Sequence, residues 1–389
     1  MARRRQYILP ASTPRGSGCL YWVLTALLLA GLVWVWRQTG QRAAPRPPVK
    51  TSRPARSAVI KSNPPPLRAP APSAPPVAQP VPVNSPAPPV VTRPSTVPPA
   101  TNDLARAPQN TFEAQLALTW QGISAGSIDG VPGSQTRAAL WAFQTREHLP
   151  VTGELDPATR SRLLLDRAPV VSYQVTSNDL ARLQPVASTW LGKSQQSALD
   201  YETLLELVAE KFHARPAFVR ALNPAVNWSN VVAGTELRVP NAAYPEPVAK
   251  AACLRISLAG KTLEAFDAAT NLLAHFPCSI AQRVEKRPVG ELHVIAIAPD
   301  PNYTFDPEVF PESPEARAIG HKLILPPGPN NPVGVAWISL DRPGYGIHGT
   351  PSPEQVGRTE SHGCFRLANW NAAYLLKLVN IGTPVYVVP

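Results

Sequence analysis

Two short segments near the C-terminus contain the residue types that covalent catalysis requires. The first, Gly346 to Thr350, has His348 at its centre, and the second, Ser361 to Arg366, contains Cys364 after a His-Gly pair. A cysteine thiolate is a strong nucleophile, and a histidine sixteen residues upstream could act as the base that generates it. The backbone amides of Gly363 and Cys364 could stabilise an oxyanion. The combination predicts attack of a thiolate on an amide carbonyl.

Three other interpretations of these residues have less support. Cys364, His348 and His362 could bind a metal, but the common zinc spacings and a fourth ligand are missing. A buried, unreactive thiol is the usual state of an arbitrary cysteine, yet this cysteine follows a histidine and a glycine. Ser361 lies in no Gly-x-Ser-x-Gly elbow, so it is a poor nucleophile. We therefore expect a cysteine enzyme that uses neither a metal nor a cofactor.

The chain around these residues has the pattern of a β-rich domain. Apolar and β-branched runs alternate with Gly, Pro, Asn and Asp, as expected of strands joined by turns. The runs are Leu254 to Leu258, His293 to Ala298, Val335 to Leu340 and Pro384 to Val388. A helical stretch from Trp370 to Val379 interrupts them. The pattern predicts a β-rich domain over residues 250–389.

The two catalytic segments resemble the signature of the L,D-transpeptidase catalytic domain family of the YkuD type. That signature is a His-Gly pair, a spacer, and then Ser-His-Gly-Cys followed by Arg. The resemblance extends to residues 287–291 and 327–334 and covers about residues 253–389. Phe365 stands where the family usually has a smaller aliphatic residue.

The resemblance implies that the β-rich domain is a β-sandwich with short helices, and it implies a role for each residue of the signature. Cys364 would be the nucleophile, and His348 would accept its proton and later return it. Gly349 would orient His348 through its carbonyl group. The other implied positions are Ser361, His362 and Gly363 on the oxyanion and acceptor side, and Arg366 and Tyr345 as substrate contacts. For Arg366, a structural ion pair is an equally good interpretation.

Residues 109–168, the first module, have the pattern of a small helical domain. Turn-forming glycines precede Ser134, which can cap a helix, and Asp156-Pro157 is a second helix start. The order of these residues from Gly122 to Thr159 resembles the peptidoglycan-binding domain family. The resemblance implies three helices that dock on the bacterial cell wall.

Residues 169–245, the second module, are similar to a degenerate lysin motif, a glycan-binding βααβ unit of the α/β class. Residues 173–175 are a strand candidate, and Thr203 with Glu206 has the capping-box pattern. Residues 234–240 are similar to the end of the motif. The long insert from Asn178 to Asp200 departs from the family pattern. We expect this module to act as a spacer more than as a glycan binder.

The N-terminal 108 residues differ sharply in composition from the rest. They hold 14 of the 37 basic residues and one of the 26 acidic ones, which leaves 23 basic and 25 acidic residues elsewhere. Nucleic-acid-binding proteins concentrate positive charge on a folded face, so this distribution argues against that class. Twenty of the 48 prolines lie in residues 45–108. That composition predicts a disordered, Pro-rich linker at residues 37–108.

Residues 19–36 are 18 residues without a charge, which predicts a transmembrane helix. Four arginines in residues 1–18 favour a cytoplasmic location for that tail. A cleaved signal peptide is the alternative, although no small-residue cleavage site directly follows the apolar run. We expect a single-pass protein of the bacterial inner membrane, with its catalytic part in the periplasm or cell wall. In that oxidising location, Cys253 and Cys278 could pair, because they lie on neighbouring strand candidates.

The resemblance implies a multidomain peptidoglycan L,D-transpeptidase. It would form 3→3 crosslinks through a cysteinyl acyl-enzyme and release D-Ala from a tetrapeptide stem, so its partners are stem peptides and glycan. The same residues would make an L,D-carboxypeptidase if water were the acceptor. They would attach a lipoprotein to the wall if a protein lysine were the acceptor. A non-catalytic scaffold that binds the cell wall is the alternative from a different class.

Overall fold

The computed structural model describes residues 105–359 and 363–389. The predicted cytoplasmic tail and transmembrane helix lie outside the described residues, as do nearly all of the Pro-rich linker, Ser361 and His362. Within the two described ranges, no helix combines the length and the apolar character needed to cross a bilayer.

Three helices make up the first module. They are α1 at Thr111–Thr119, α2 at Ser134–Arg146 and α3 at Pro157–Arg162. The side chain of Asn110 accepts a hydrogen bond from the Glu113 amide, and Asp156 does the same for Thr159, so α1 and α3 begin at capped ends. The number of helices agrees with the peptidoglycan-binding pattern, and the predicted cap at Ser134 is instead the first residue of α2, after Gly133.

The second module is a two-stranded antiparallel sheet with helices between its strands. Its elements are β1 at Val170–Gln174, α4 at Ser177–Ala181, α5 at Trp190–Ser194, α6 at Leu204–Lys211, α7 at Pro216–Leu222 and β2 at Glu236–Pro240. The capping box between Thr203 and Glu206 begins α6. Both α4 and α5 fall largely within the insert from Asn178 to Asp200. The likeness to a lysin motif stays a prediction.

The first two modules share one hydrophobic core. Leu116 and Phe143 of the first module belong to the same buried cluster as Leu207 and Val239 of the second. A backbone bridge reinforces this packing, because the Ile128 amide donates to the His213 carbonyl at 2.8 Å. The two modules are therefore one folded unit.

The remaining elements form the β-rich region at residues 250–389. They are β3 at Cys253–Ser257, β4 at Thr262–Phe266, β5 at Leu272–Pro277, β6 at Gly290–Pro299, β7 at Tyr303–Phe305, α8 at Pro314–Ile319, β8 at Leu323–Leu325, β9 at Ala336–Leu340, β10 at Gly346–His348, β11 at Phe365–Arg366, α9 at Asn369–Leu378 and β12 at Pro384–Val388. All four predicted strand runs coincide with β-strands, and the predicted helix coincides with α9. Strands β7 and β8 pair with each other in a separate hairpin.

Eight of these strands form one hydrogen-bonded sheet in the order β11-β10-β9-β6-β12-β3-β4-β5. Strand β6 spans ten residues, and its first part pairs with β12 while its second part pairs with β9. The partner changes between His293 and Val294, and the register with β9 shifts just after it, between Val294 and Ala296. The region is β-rich as predicted, but the two halves of the expected sandwich are continuous because β6 is long enough to belong to both.

Cys253 and Cys278 are free thiols. Cys253 pairs with Phe266 at one end of the β3-β4-β5 segment, whereas Cys278 follows Pro277, which pairs with Thr262 at the other end. At about 3.3 Å per residue along a strand, this arrangement keeps the two cysteines beyond disulfide reach. The disulfide considered from the sequence is wrong.

Candidate active site

The pairing of β10 with β11 brings three of the predicted site residues together. The strands are parallel, with Ile347 opposite Phe365 and His348 opposite Arg366. Ile347 is 0% exposed and Phe365 is 1% exposed, so both point into the core. Because side chains alternate along a strand, His348, Arg366 and Cys364 project from the other face. Phe365 therefore fills the core and does not project from the face that carries His348.

His348 is held in one orientation. Its Nδ1 lies 2.6 Å from the carbonyl oxygen of Gly349, which can only accept, so Nδ1 carries the proton and Nε2 keeps a free electron pair. The ring also stacks on Trp337, with 5.5 Å between centroids. Burial lowers the pKa of His348 to about 4; the Gly349 carbonyl opposes this shift and the charge of Arg366 adds to it. His348 is therefore neutral near pH 7 and able to accept a proton.

The Cys364 thiol lies beside the backbone of the turn before β10. It donates a hydrogen bond to the carbonyl oxygen of Gly344 at 3.4 Å. Burial raises the pKa of Cys364, while the backbone of Gly346 and the charge of Arg366 act in the opposite direction. A protonated histidine would lower this pKa, but His348 is neutral and supplies no positive charge. The thiol therefore needs a base at the moment of attack.

Arg366 supplies positive charge to this face of the sheet. Its backbone pairs with Ser279 through two hydrogen bonds of 2.9 and 3.0 Å, which hold β11 in place. The guanidinium is half-buried and acts electrostatically on both Cys364 and Cys278. A positive charge in partly desolvated surroundings favours a thiolate or an oxyanion.

Tyr345, a predicted substrate contact, has a structural role in this structure. Its hydroxyl donates to the carbonyl oxygen of Lys286 at 3.0 Å, and the guanidinium of Arg342 lies 4.8 Å from its ring centroid. Gly363 is partly exposed next to Cys364. Ser361 and His362 lie outside the described residues, so their roles stay predictions.

Asn369, the first residue of α9, is a buried polar junction that no sequence pattern predicted. Its Oδ1 accepts from the backbone amide of Thr350 at 2.9 Å and, more weakly, from that of Val335 at 3.4 Å. Gly349 and Gly334 pack closely against Asn369. A Cβ built on Gly349 would lie 2.2 Å from Oδ1 of Asn369, and a Cβ built on Gly334 would lie 1.9 Å from the same atom. The only local sequence feature that could have indicated this role is the position of Asn369, three residues after Arg366.

Glu210 of α6 completes this junction from the second module. The Nδ2 of Asn369 donates to its two carboxylate oxygens at 3.0 and 3.1 Å, and the hydroxyl of Tyr201 lies 3.1 Å from Oε1. Desolvation raises the pKa of Glu210 to about 7, although hydrogen bonds from Asn369 and Tyr201 oppose the shift. No sequence motif connects Glu210 to the active site, because the two are far apart in the chain.

Two segments of the chain match known protein families. Residues 253–387 match the family described as "L,D-transpeptidase catalytic domain", and residues 108–163 match the family described as "Putative peptidoglycan binding domain". The chain thus carries an L,D-transpeptidase catalytic domain preceded by a peptidoglycan-binding domain.

Individual relatives carry the same description. The chain is 27% identical over 188 residues to "Putative L,D-transpeptidase YkuD" of Bacillus licheniformis, which covers 48% of this chain and 94% of that protein. It is 29% identical over 185 residues to "Probable L,D-transpeptidase YbiS" of Escherichia coli K12, covering 46% of this chain and 58% of the relative. A solved L,D-transpeptidase from Mycobacterium smegmatis is 21% identical, with a TM-score of 0.28, and the match covers 41% of this chain and 65% of that one.

The catalytic domain defines the protein as an acyltransferase that acts on peptidoglycan. It is an L,D-transpeptidase, and this family forms 3→3 crosslinks.

Proposed function

We propose that Cys364 carries the acyl group during 3→3 crosslinking. Its thiolate attacks the carbonyl between the third residue of a tetrapeptide stem and the terminal D-Ala, and D-Ala leaves. The acyl group then passes from sulfur to the amine of a second stem. The observation that carries this proposal is the parallel pairing of β10 with β11, which puts Cys364, His348 and Arg366 on one face of the sheet.

His348 moves the proton in each step of this scheme. Its Nε2 accepts the thiol proton as the C–S bond forms, and returns it to the amine of D-Ala as the C–N bond breaks. In the second half, Nε2 takes a proton from the attacking amine and gives it to the departing sulfur. The Gly349 carbonyl stabilises the imidazolium because it accepts from Nδ1. Arg366 stabilises the transient negative charge.

The rest of the predicted site has supporting roles. The backbone amides of Gly363 and Cys364 would receive the oxyanion, with Ser361 and His362 on the acceptor side. Arg366 would contact a stem-peptide carboxylate, and Tyr345 would border the substrate. No metal or cofactor enters this chemistry, because thiol, imidazole and amide groups supply the nucleophile, the base and the oxyanion donors.

The parts of the chain before the catalytic domain would bring it to its substrate. The peptidoglycan-binding module would hold the glycan network, and residues 19–36 would anchor the protein in the bacterial inner membrane, with residues 37–108 as a linker through the periplasm. The uncharged stretch and the composition of the linker support this arrangement. Membrane fractionation, followed by protease treatment of intact and of permeabilised cells, tests it. Recovery in the soluble fraction of lysed cells would contradict the anchor.

The catalytic proposal is tested with the purified full-length protein and disaccharide-tetrapeptide, with products identified by mass. We expect crosslinked dimer and released D-Ala from the wild type and from the matched control Cys253→Ser, and neither from Cys364→Ser. Tripeptide without dimer would identify a carboxypeptidase. Acylation of a lysine-containing lipoprotein peptide in place of the stem would identify wall attachment. The absence of every product from the wild type would leave a cell-wall-binding scaffold.

A further inference from the structure

The insert from Asn178 to Asp200 packs on the β7–β8 hairpin of the catalytic domain. This insert is the part of the second module that departs from the lysin-motif pattern, and the catalytic mechanism assigns it no role. Helix α5 lies within it and begins at Trp190. The hairpin includes β7, α8 and β8, from Tyr303 to Leu325.

Trp190 makes the main contact. Its ring stacks on Phe305 with 4.5 Å between centroids and an interplanar angle of 17°, and on Phe310 at 5.8 Å and 29°. Tyr303 lies 6.3 Å from the same ring. The backbone amide of Trp190 donates to Oε1 of Glu315 at 2.6 Å. One residue of the insert therefore contacts both ends of β7 and the helix that follows.

Leu199 makes the second contact. It is fully buried in a small core with Phe305 and Leu325. Its amide donates to the carbonyl of Pro327 at 2.9 Å, and its own carbonyl accepts from Asn330 at 2.9 Å. The insert thus fixes the end of the hairpin as well as its start.

The hairpin begins at the catalytic end of the sheet. His348 of β10 pairs with Trp337 of β9, and Trp337 pairs with Ala298 of β6. Strand β6 ends one residue later, at Pro299. Tyr303, the first residue of β7, follows Pro299 by four residues, so the hairpin starts at the same end of the sheet as His348. Burial, which has the larger effect, and the charge of Cys364 raise the pKa of Tyr303 to about 12, in agreement with a position near the nucleophile.

A two-stranded hairpin has too little buried surface to be stable by itself in water. The pairing of β7 with β8 covers three residue pairs. The apolar residues of the hairpin share one small core with Leu199, and Trp190 packs against that core. The insert therefore contributes to the order of the hairpin.

We propose that the insert is a positioning element for acyl transfer, and that Trp190 keeps the hairpin closed beside Cys364 so that the acyl-enzyme reacts with an amine in preference to water. The inference rests on the proposed function. In productive transfer, the C–S bond of the thioester breaks as a C–N bond forms, and the amine proton passes to His348. If water enters, a C–O bond forms in its place and the product is a tripeptide carboxylate.

The test measures the ratio of crosslinked dimer to tripeptide formed by the full-length protein from disaccharide-tetrapeptide. Trp190→Ala should lower the ratio about two- to tenfold, the range expected from the loss of aromatic pairs. Trp190→Phe should recover most of it, because it keeps a stacked ring. The matched control is Leu191→Ala, whose side chain in the same helix is 46% exposed, and its ratio should equal that of the wild type.

Glu315→Gln probes the same contact from the hairpin side and should shift the ratio in the same direction by a smaller factor. Thermal unfolding shows whether Trp190→Ala folds. If it does not, the test uses Glu315→Gln and Trp190→Phe. A ratio unaffected by all of the folded variants, or dimer and tripeptide falling in equal proportion, would overturn the proposal. A wild type without either product would instead overturn the proposed function.

Discussion

Asn369 links Glu210 of the second module to the strand that carries His348. Its Nδ2 lies 3.0 and 3.1 Å from the two carboxylate oxygens of Glu210, and its Oδ1 accepts from Thr350, two residues after His348. The second module therefore supports the frame of the active site. This contact goes beyond the spacer role expected from the sequence.

The pH dependence of acyl transfer should show a base with an unusually low pKa. His348 has a pKa of about 4 because it is buried, and only its neutral form accepts a proton. We expect kcat/KM, measured from pH 3.5 to 8, to fall only below about pH 5, and not near the usual histidine value of about 6.5. His321→Gln, a change at an exposed histidine, should leave the acid limb in place. An acid limb centred near pH 6.5 would contradict the assignment.

Glu210 should make folding stability fall as the pH rises. Its pKa in the folded protein, about 7, is above the ordinary value of 4.5, so its contribution to folding stability is fully present below about pH 4.5 and is lost as pH rises through 7. Glu210→Gln mimics the protonated form and removes this dependence. The free energy of unfolding of the wild type, relative to Glu210→Gln, should fall by about 1 to 3 kcal/mol from pH 5 to pH 8.

Denaturant unfolding of the two proteins at several pH values measures this difference. Other groups act on the same carboxyl: Glu206 raises its pKa and Arg182 lowers it, whereas Tyr201 donates to it. These groups are common to both proteins, so their own titration largely cancels in the comparison. A difference that stays constant with pH would show that Glu210 keeps an ordinary pKa.

Asn369→Ala should reduce both stability and activity. The change removes the hydrogen bonds from Asn369 to Glu210, which keeps only the bond from Tyr201, and leaves the amide of Thr350 buried without its partner, at a cost of about 1 to 3 kcal/mol. It also frees the segment after His348, so kcat should fall more than KM rises. Asn230→Ala, at an exposed asparagine, is the control and should leave both quantities unchanged. Wild-type kcat in a folded Asn369→Ala protein would rule out a role in positioning.

Gly349→Ala should disrupt the same junction sterically. The new Cβ would lie 2.2 Å from Oδ1 of Asn369, so the asparagine or the strand must move. We expect a loss of about 1 to 3 kcal/mol in unfolding free energy and at least about a tenfold loss of kcat/KM. Gly133→Ala is the matched control: its φ is −147° and a Cβ there meets no atom within 4 Å. Equal unfolding free energies for the two variants would mean that the close fit between Gly349 and Asn369 does not contribute to stability.

Local signals predicted the elements well where one segment of sequence determines them. The capping box of Thr203 and Glu206 marked the start of α6, and alternating apolar runs marked β3, β6, β9 and β12. Local sequence patterns gave a wrong prediction for the disulfide between Cys253 and Cys278. Cys253 begins β3 and Cys278 directly follows β5, with β4 between these strands, and strand direction and register put the two cysteines at opposite ends.

The sequence by itself determined the chemistry, because Cys364 and His348 lie in short segments whose residue types already define a nucleophile and a base. Only the tertiary structure decided how that chemistry is supported. Burial, which depends on atoms from the whole fold, makes His348 neutral and raises the pKa of Cys364. Hydrogen bonds between distant segments join Asn369 to Glu210, and packing places Trp190 on the hairpin beside the nucleophile. Desolvation and long-range contacts have no local pattern in the sequence, since they arise only when separate segments meet.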